Sequence, residues 1–282
     1  QPVFIFGIYT DVLEIKRLIG KEVNLIPVLK GDAYGCGLSE VVQALCKEDI
    51  YGFGVGNIYE AIEVRKYSNL PILLFGNTLP NAIPEIQRHQ IIPSISDWDW
   101  AVFYSQHART PAPIFIKIDI GLNRLGVPYA EALEFIQKVS GLPNIKIEGI
   151  QTHIGGEREF IKRAFSEFIN VVTQLERIGI EIPIKLAAHS QLIAQFPSSF
   201  LNAVDPGKMI YGITPFQLEA NLILRPAFVK LASKIIHLKK SLEISQERFE
   251  RIGVVPLGMA DGLPSAYFKE GEVLIHGKRA PI

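Results

Sequence analysis

Short apolar runs rich in β-branched residues recur through the first three-quarters of the chain, separated by longer stretches of a different period. The runs cover residues 25–29, 51–55, 72–75, 91–95, 114–120, 145–153, 182–188 and 203–211. Several of the intervals carry apolar residues three and four apart, the spacing of one helix face. In 38–46 that face is Leu38, Val41, Val42 and Leu45; in 160–178 it is Phe165, Phe168, Ile169, Val172 and Leu175. Segments 58–67 and 130–139 repeat the pattern. Eight strand-like runs alternating with helices predict a parallel sheet, because parallel neighbours need a crossover connection. For 282 residues the pattern predicts an α/β fold built on a closed (β/α)8 TIM barrel.

The texture changes after Gly212. Segment 222–238 reads as strand (Phe228, Val229, Leu231, Ile235, Ile236), and a polar stretch follows at 239–250. Further strand patterns lie at 252–257 and 272–276, with Gly258, Gly262, Gly271 and Gly277 as turn signals. Residues 1–221 are therefore read as the barrel, and 222–282 as part of a smaller β domain that is expected to be truncated.

Composition works by exclusion. The 29 Lys and Arg balance the 29 Asp and Glu, so the chain has no net field to draw nucleic acid or an anionic membrane. No apolar run reaches the roughly 18 residues of a membrane span, and no basic segment with a cleavage site opens the chain. Cys36 and Cys46 are too few for a disulfide framework, so reduced thiols and a cytoplasmic location are the expectation.

Candidate chemistry begins at Lys30, which ends the first apolar run and is followed at once by a glycine-punctuated turn. In a barrel, residues at the carboxyl ends of strands line the active site. A lysine there is either a snorkelling strand-end cation or an amine held at a pocket mouth, where partial desolvation lets it attack a carbonyl. Tyr34, four residues on, leads into the next helical segment. Its hydroxyl can hold a phosphate beside a helix start, or simply pack.

Read together, the motifs resemble the alanine racemase family, pyridoxal-phosphate enzymes of fold type III. Lys30-Gly-Asp-Ala-Tyr-Gly-Cys-Gly37 is similar to that family's lysine motif, and Lys117-Ile-Asp-Ile-Gly-Leu-Asn-Arg-Leu-Gly126 to its lysine-to-arginine segment. Glu148-Gly-Ile-Gln-Thr-His153 resembles its histidine strand, and Pro206-Gly207 with Tyr211-Gly212 its phosphate-binding turn. Leu257-Gly-Met-Ala-Asp-Gly-Leu-Pro264 and Gly277-Lys-Arg-Ala-Pro281 resemble parts of its β domain. The pieces occur in the family's order across nearly the whole chain.

The resemblance implies a set of roles. Lys30 would form an imine with pyridoxal 5′-phosphate and act as one acid/base. Tyr34, Ser190 and the backbone at Gly207 and Lys208 would hold the phosphate. Arg124 would reach the phenolic oxygen, supported by Lys117, which in the family is often carbamylated. His153 would sit against the pyridine ring. The implied activity is racemisation of a small amino acid, alanine by default, in a homodimer whose active sites are completed by the partner's β domain.

Five features depart from the family. The tyrosine that supplies the second base is absent from 241–252, and Tyr267, the nearest, lacks the motif context. The chain stops at Ile282, short of the rest of that domain, and Cys36 replaces a histidine. Asp205 stands where the family has an arginine aimed at the pyridine nitrogen, and His189 where it has asparagine. A carboxylate at that nitrogen would stabilise the pyridinium and deepen the electron sink; alternatively Asp205 turns aside to pair with Lys208 or His189. Two other functions stay open: a related enzyme acting on another amino acid as racemase, lyase or decarboxylase, and a cofactor-binding protein of low turnover.

Overall fold

Eight parallel strands follow one another around a ring: β1 (Asn24–Leu25), β2 (Phe53–Val55), β3 (Ile72–Leu74), β4 (Ile91–Ile95), β5 (Ala112–Asp119), β6 (Ile145–Gln151), β7 (Ile184–His189) and β8 (Ala203–Asp205). They are seen in a computed structural model that describes residues 2–108, 111–218, 221–228, 230–241 and 250–282. Each strand from β2 onward pairs in parallel with the next, and β8 pairs with β1. The ring closes just past β1. Tyr51 N–H donates to Leu25 O (2.9 Å), Gly54 N–H to Pro27 O (2.9 Å) and Leu29 N–H to Gly54 O (2.8 Å). The barrel expected from the eight runs is thus the barrel observed.

The last run is shorter as a strand than its apolar length suggested. Pro206 has no N–H to continue the ladder, so β8 stops at Asp205 and Lys208–Tyr211 coil into a 3-10 turn.

Side chains two apart on a strand face the same way, and this alternation builds the barrel interior in layers. Ile26, Leu73, Ile92, Phe115, Ile184, Leu186 and Ala203 form an apolar floor. One step toward the carboxyl ends, the same inward rows carry Ser94, Lys117 and Asp205. Glycine makes room for the floor at Gly149, where a Cβ would lie 2.4 Å from the Phe115 ring.

The outward rows are covered by helices α1 (Pro2–Ile19), α2 (Leu38–Leu45), α3 (Ile58–Arg65), α4 (Ile83–Arg88), α5 (Trp98–His107), α6 (Tyr129–Ser140), α7 (Arg158–Arg177) and α8 (Ser190–Gln195). The longest, α7, buries Ile161, Ala164, Phe168, Val171, Val172 and Leu175 along one stripe. Helix α1, absent from the sequence-based expectation, buries Ile8, Val12, Ile15 and Ile19. It also buries Asp11, whose Oδ1 accepts the Arg225 N–H at 2.7 Å. No helix among the described residues is long and apolar enough to cross a membrane.

The chain divides into two compact units, residues 1–227 and 228–282. The strand expected over 222–238 does not form there: described residues up to Ile236 lie outside any strand. Its apolar residues anchor singly instead. Leu222 and Ala227 are buried, and Ala227 N–H donates to Tyr211 O at 2.9 Å. Among its described residues the smaller unit holds two antiparallel ribbons, β9 (His237–Lys240) with β10 (Arg251–Val254) and β11 (Glu272–Ile275) with β12 (Lys278–Pro281), a 3-10 turn (Met259–Asp261) and one α-helical turn, α9 (Tyr267–Glu270).

Candidate active site

The carboxyl-end mouth of the barrel begins with an unusual backbone. After Lys30 the chain makes a left-handed helical turn, with φ of 65° at Gly31, 54° at Asp32, 53° at Ala33 and 55° at Tyr34. Each L-residue in that region costs on the order of 1–2 kcal/mol, so the turn must be held by its surroundings. Ala33 N–H donates to Leu29 O (2.9 Å) and Gly35 N–H to Gly31 O (2.9 Å). Asp32 Oδ1 accepts the Leu38 N–H at 2.8 Å. The Glu60 carboxylate braces the turn from outside, accepting Gly31 N–H at 2.7 Å and Gly56 N–H at 2.8 Å.

Glu60 is a residue the sequence reading missed. Its one signal is Asn57-x-x-Glu60, a capping-box pattern. The structure makes half of that box, Glu60 N–H to Asn57 Oδ1 at 3.0 Å. The carboxylate is spent across the barrel mouth instead.

Lys30 itself is exposed at the rim, with Nζ 5.9 Å from the centre of the Tyr34 ring. Tyr34 packs on Tyr211 with ring centres 4.9 Å apart. Burial, and next the charge of Asp205, pushes the Tyr34 phenol up to about 12, so it stays a hydrogen-bond donor. Its hydroxyl lies over Gly207, where an added Cβ would come within 2.5 Å of Oη. Ser190 opens α8, and its Oγ accepts the N–H groups of Gly207 (3.0 Å) and Met209 (3.2 Å). With both acceptor positions used, its own O–H is free to donate. Tyr34, Ser190 and the cation of Lys208 therefore border one anion-binding corner.

Strand β5 supplies the opposite wall. Lys117 is buried and donates to Phe75 O at 3.2 Å. Burial, then the charges of Arg124 and Lys30, pulls its pKa down to about 8 against the attraction of Asp205 and Asp119. Beyond β5 the Asp119 carboxylate collects the N–H groups of Gly121 (3.0 Å), Asn123 (3.1 Å) and Arg124 (3.1 Å). That fold turns the loop back, and Arg124 lines the same cavity as Lys117.

His153 and His189 stack with ring centres 4.3 Å apart. His189 Nδ1 accepts the Gln191 N–H at 3.3 Å, so Nε2 carries the proton it donates to Ile154 O. Burial, and next the neighbouring His189, pushes His153 down to about 2; burial lowers His189 as well. Both rings are neutral.

All nine residues singled out from the sequence line one cavity of about 440 Å³, with Gln151, Thr152 and His189 beside them. Four cations, Lys30, Lys117, Arg124 and Lys208, face a single carboxylate, Asp205. Two buried polar atoms in the wall, Thr152 Oγ1 and Asp205 Oδ1, have no hydrogen-bond partner among the described residues. The excess of cations and the unpartnered polar atoms suit an anionic ligand with further polar groups. A larger cleft of about 1010 Å³ beside α4 and α5 is lined mainly by apolar residues such as Pro84, Ile86 and Phe103 and gathers no such set.

Comparison with known proteins gives a consistent result. The family model described as "Alanine racemase, N-terminal domain" matches residues 8–215. The alanine racemase of Halothermothrix orenii is 30% identical, over 95% of this chain and 76% of its own. An amino-acid racemase of Enterococcus faecalis is 32% identical, over 92% of this chain and 39% of its own. Among solved structures, alanine racemase of Clostridium difficile 630 in complex with cycloserine superposes with a TM-score of 0.87 at 29% identity, covering 97% of this chain and 75% of that one.

Proposed function

The chain belongs to the alanine racemase family, and from that premise we propose that it interconverts the L and D forms of a small amino acid, alanine first, with pyridoxal 5′-phosphate as cofactor. One observation carries the reading: an amine, an anion-binding corner and an arginine converge on a single cavity at the carboxyl end of the barrel.

The residues present fit the cofactor. Tyr34, Ser190, the Gly207 backbone and Lys208 would hold its phosphate, and Arg124 its phenolic oxygen. Lys30 provides the amine for its aldehyde carbon. When bound, the cofactor supplies the electron sink that makes the Cα–H of an amino acid acidic. Lys30 then takes the proton from one face of Cα and returns it there. His153, held neutral and stacked on His189, packs the wall without adding charge. Lys117, its proton loosened by burial, has a populated free amine near neutral pH, the form that takes up carbon dioxide as a carbamate to pair with Arg124.

Inversion requires a second acid/base on the other face. Residues 242–249, within the segment that lacks the family's tyrosine, lie outside the described residues. The Tyr267 hydroxyl donates to Glu272 O at 3.0 Å within its own unit. The reading therefore takes the second base from the partner chain of a cytoplasmic homodimer, with Cys36 and Cys46 as free thiols. A second reading, racemisation of an amino acid other than alanine, draws on the likeness to the Enterococcus faecalis protein.

Incubating the purified chain with the cofactor and L-alanine in D2O tests the proposal. Deuterium at Cα together with D-alanine is the expected result. The same outcome with another amino acid, and none with alanine, selects the second reading. No exchange with any amino acid contradicts both.

A further inference from the structure

We propose that the Asp205 carboxylate pairs with the ring nitrogen of the pyridoxal cofactor, and that by keeping a proton on that nitrogen it equips this chain for a second reaction, half-transamination of its amino-acid substrate. The inference rests on the cofactor assignment above and goes beyond it.

Asp205 ends β8 and faces inward, two residues above Ala203 of the apolar floor. It is only 8% exposed, and its Oδ1 has no hydrogen-bond partner among the described residues. Of the two orientations the sequence left open, pairing with Lys208 or His189 is not the one seen: Oδ1 remains unpartnered beside the cavity. The cofactor reading above gives the phosphate, the phenolic oxygen and the aldehyde carbon to Tyr34, Ser190, Lys208, Arg124 and Lys30, all of which line the cavity beside Asp205. The ring nitrogen is the one polar atom of the cofactor left over. On the protein side, Asp205 Oδ1 and Thr152 Oγ1 are left over.

Charge decides between these two. A threonine hydroxyl can donate only to an unprotonated nitrogen, whereas a carboxylate favours the N–H⁺ form. Burial alone makes a charged Asp205 costly, pushing its carboxyl up to about 7 even though Lys117 and Lys30 pull the other way. A pyridinium N–H⁺ at hydrogen-bond distance is the partner that relieves this cost, because a buried carboxylate is tolerated only when paired.

A proton on the ring nitrogen draws electron density out of the reacting centre. A proton lost from Cα can then return at the carbon joining the ring to the amine. The Cα–H bond breaks and a C–H bond forms at that cofactor carbon, with the Lys30 amine carrying the proton. Water next adds at Cα and the Cα–N bond breaks. A 2-oxo acid leaves, and the amino group stays on the cofactor as pyridoxamine phosphate. The amino acid is oxidised by one electron pair and the cofactor aldehyde is reduced by that same pair, so no outside oxidant is needed. A 2-oxo acid reverses the reaction.

The test loads the full chain, Asp205→Asn and Thr152→Val with ring-15N pyridoxal phosphate. It reads the nitrogen by 15N NMR, and 2-oxo acid formed per Cα exchange event. The wild-type nitrogen should resonate as pyridinium, and Asp205→Asn should shift it to the unprotonated position. Thr152→Val should leave it in place. Asp205→Glu should restore part of the pyridinium signal, which separates lost charge from lost folding. Yield of 2-oxo acid per exchange should fall about tenfold or more in Asp205→Asn, the scale of one charge-assisted hydrogen bond. An unprotonated nitrogen in the wild type, a signal unmoved by Asp205→Asn, or one moved only by Thr152→Val overturns the proposal. Failure to take up the labelled cofactor at all overturns the function proposed above as well, and is distinguished by the missing signal.

Discussion

The barrel and the small unit are made from similar amino acids but use them differently. In residues 1–227 nearly every strand is buried on both faces. In residues 228–282 no described hydrophobic side chain is buried, and Leu231, Ile236, Met259 and Leu274 are each more than 60% exposed. A strand in a closed ring has a neighbour on each side and a core on each face. A two-stranded ribbon has neither, and by itself is marginal in water. The difference teaches where this protein keeps its precision. Groups whose positions matter sit on the barrel rim, supported by a layered core. Exposed apolar surface of the kind seen on the ribbons is surface that a further segment or another chain would cover.

Breaking the barrel should have the largest effect. Gly149→Val drives a side chain into Phe115 and the Ile184 carbonyl, 2.4 and 2.7 Å from the new Cβ. A loss of several kcal/mol, about 3 or more, is expected, measured as failure to fold or a steep fall in the denaturant midpoint. Next comes the anion corner. Gly207→Ala places a methyl group 2.5 Å from Tyr34 Oη. It should weaken cofactor affinity by about tenfold to a hundredfold, measured by titration, with Tm little changed.

Glu60→Ala removes both braces of the strained turn and should cost about 1–3 kcal/mol of stability. Because the turn carries Lys30, racemisation should fall further than Tm accounts for, and Glu60→Gln should recover part of it. A thermal melt beside a rate measurement separates the two effects.

A smaller effect concerns pH. The Asp11 carboxyl is raised by burial from 3.8 to about 7. It binds its proton more tightly folded than unfolded, so its contribution is full below pH 4 and is lost as pH rises through about 7. Asp11→Asn keeps the Oδ1 that accepts from Arg225 and removes the charge. It should stabilise the barrel by about 1–3 kcal/mol at pH 8 and much less at pH 5, read from melts at the two values. The smallest effect belongs to the other unit. Leu274→Ser, at an exposed ribbon position, should leave the melting of the barrel within about 0.5 kcal/mol, and any change should appear in self-association instead.

Much of this was visible in the chain. The eight strand runs were, because a doubly buried parallel strand reads as an unbroken apolar stretch. The candidate site residues were read from motifs that resemble the family's rather than from position: Asp205 ends a strand, but Lys117 lies within one, Ser190 opens a helix, and Tyr34 and Arg124 lie in turns. Helix α1 was hidden, although Ile8, Val12, Ile15 and Ile19 keep helical spacing, since Gly7 and the β-branched residues around it blur the period. The left-handed turn was not legible. Gly31, Gly35 and Gly37 announce a turn, but nothing in Asp32, Ala33 or Tyr34 announces positive φ, which their neighbours impose. Glu60 was missed because its partner, the Gly31 amide, lies 29 residues away and is a backbone group. The strand expected at 222–238 failed because apolar content there serves anchoring at single points, Leu222 and Ala227, rather than pairing.

The central claim is that the Lys30 amine joins the cofactor. Borohydride reduction of the chain mixed with pyridoxal phosphate, followed by proteolysis and mass spectrometry, tests it most directly. The account predicts a phosphopyridoxyl group on Lys30, absent from Lys30→Ala along with the visible absorbance of the mixture. A label on Lys117 or Lys208 in place of Lys30, or an undiminished label in Lys30→Ala, would contradict it.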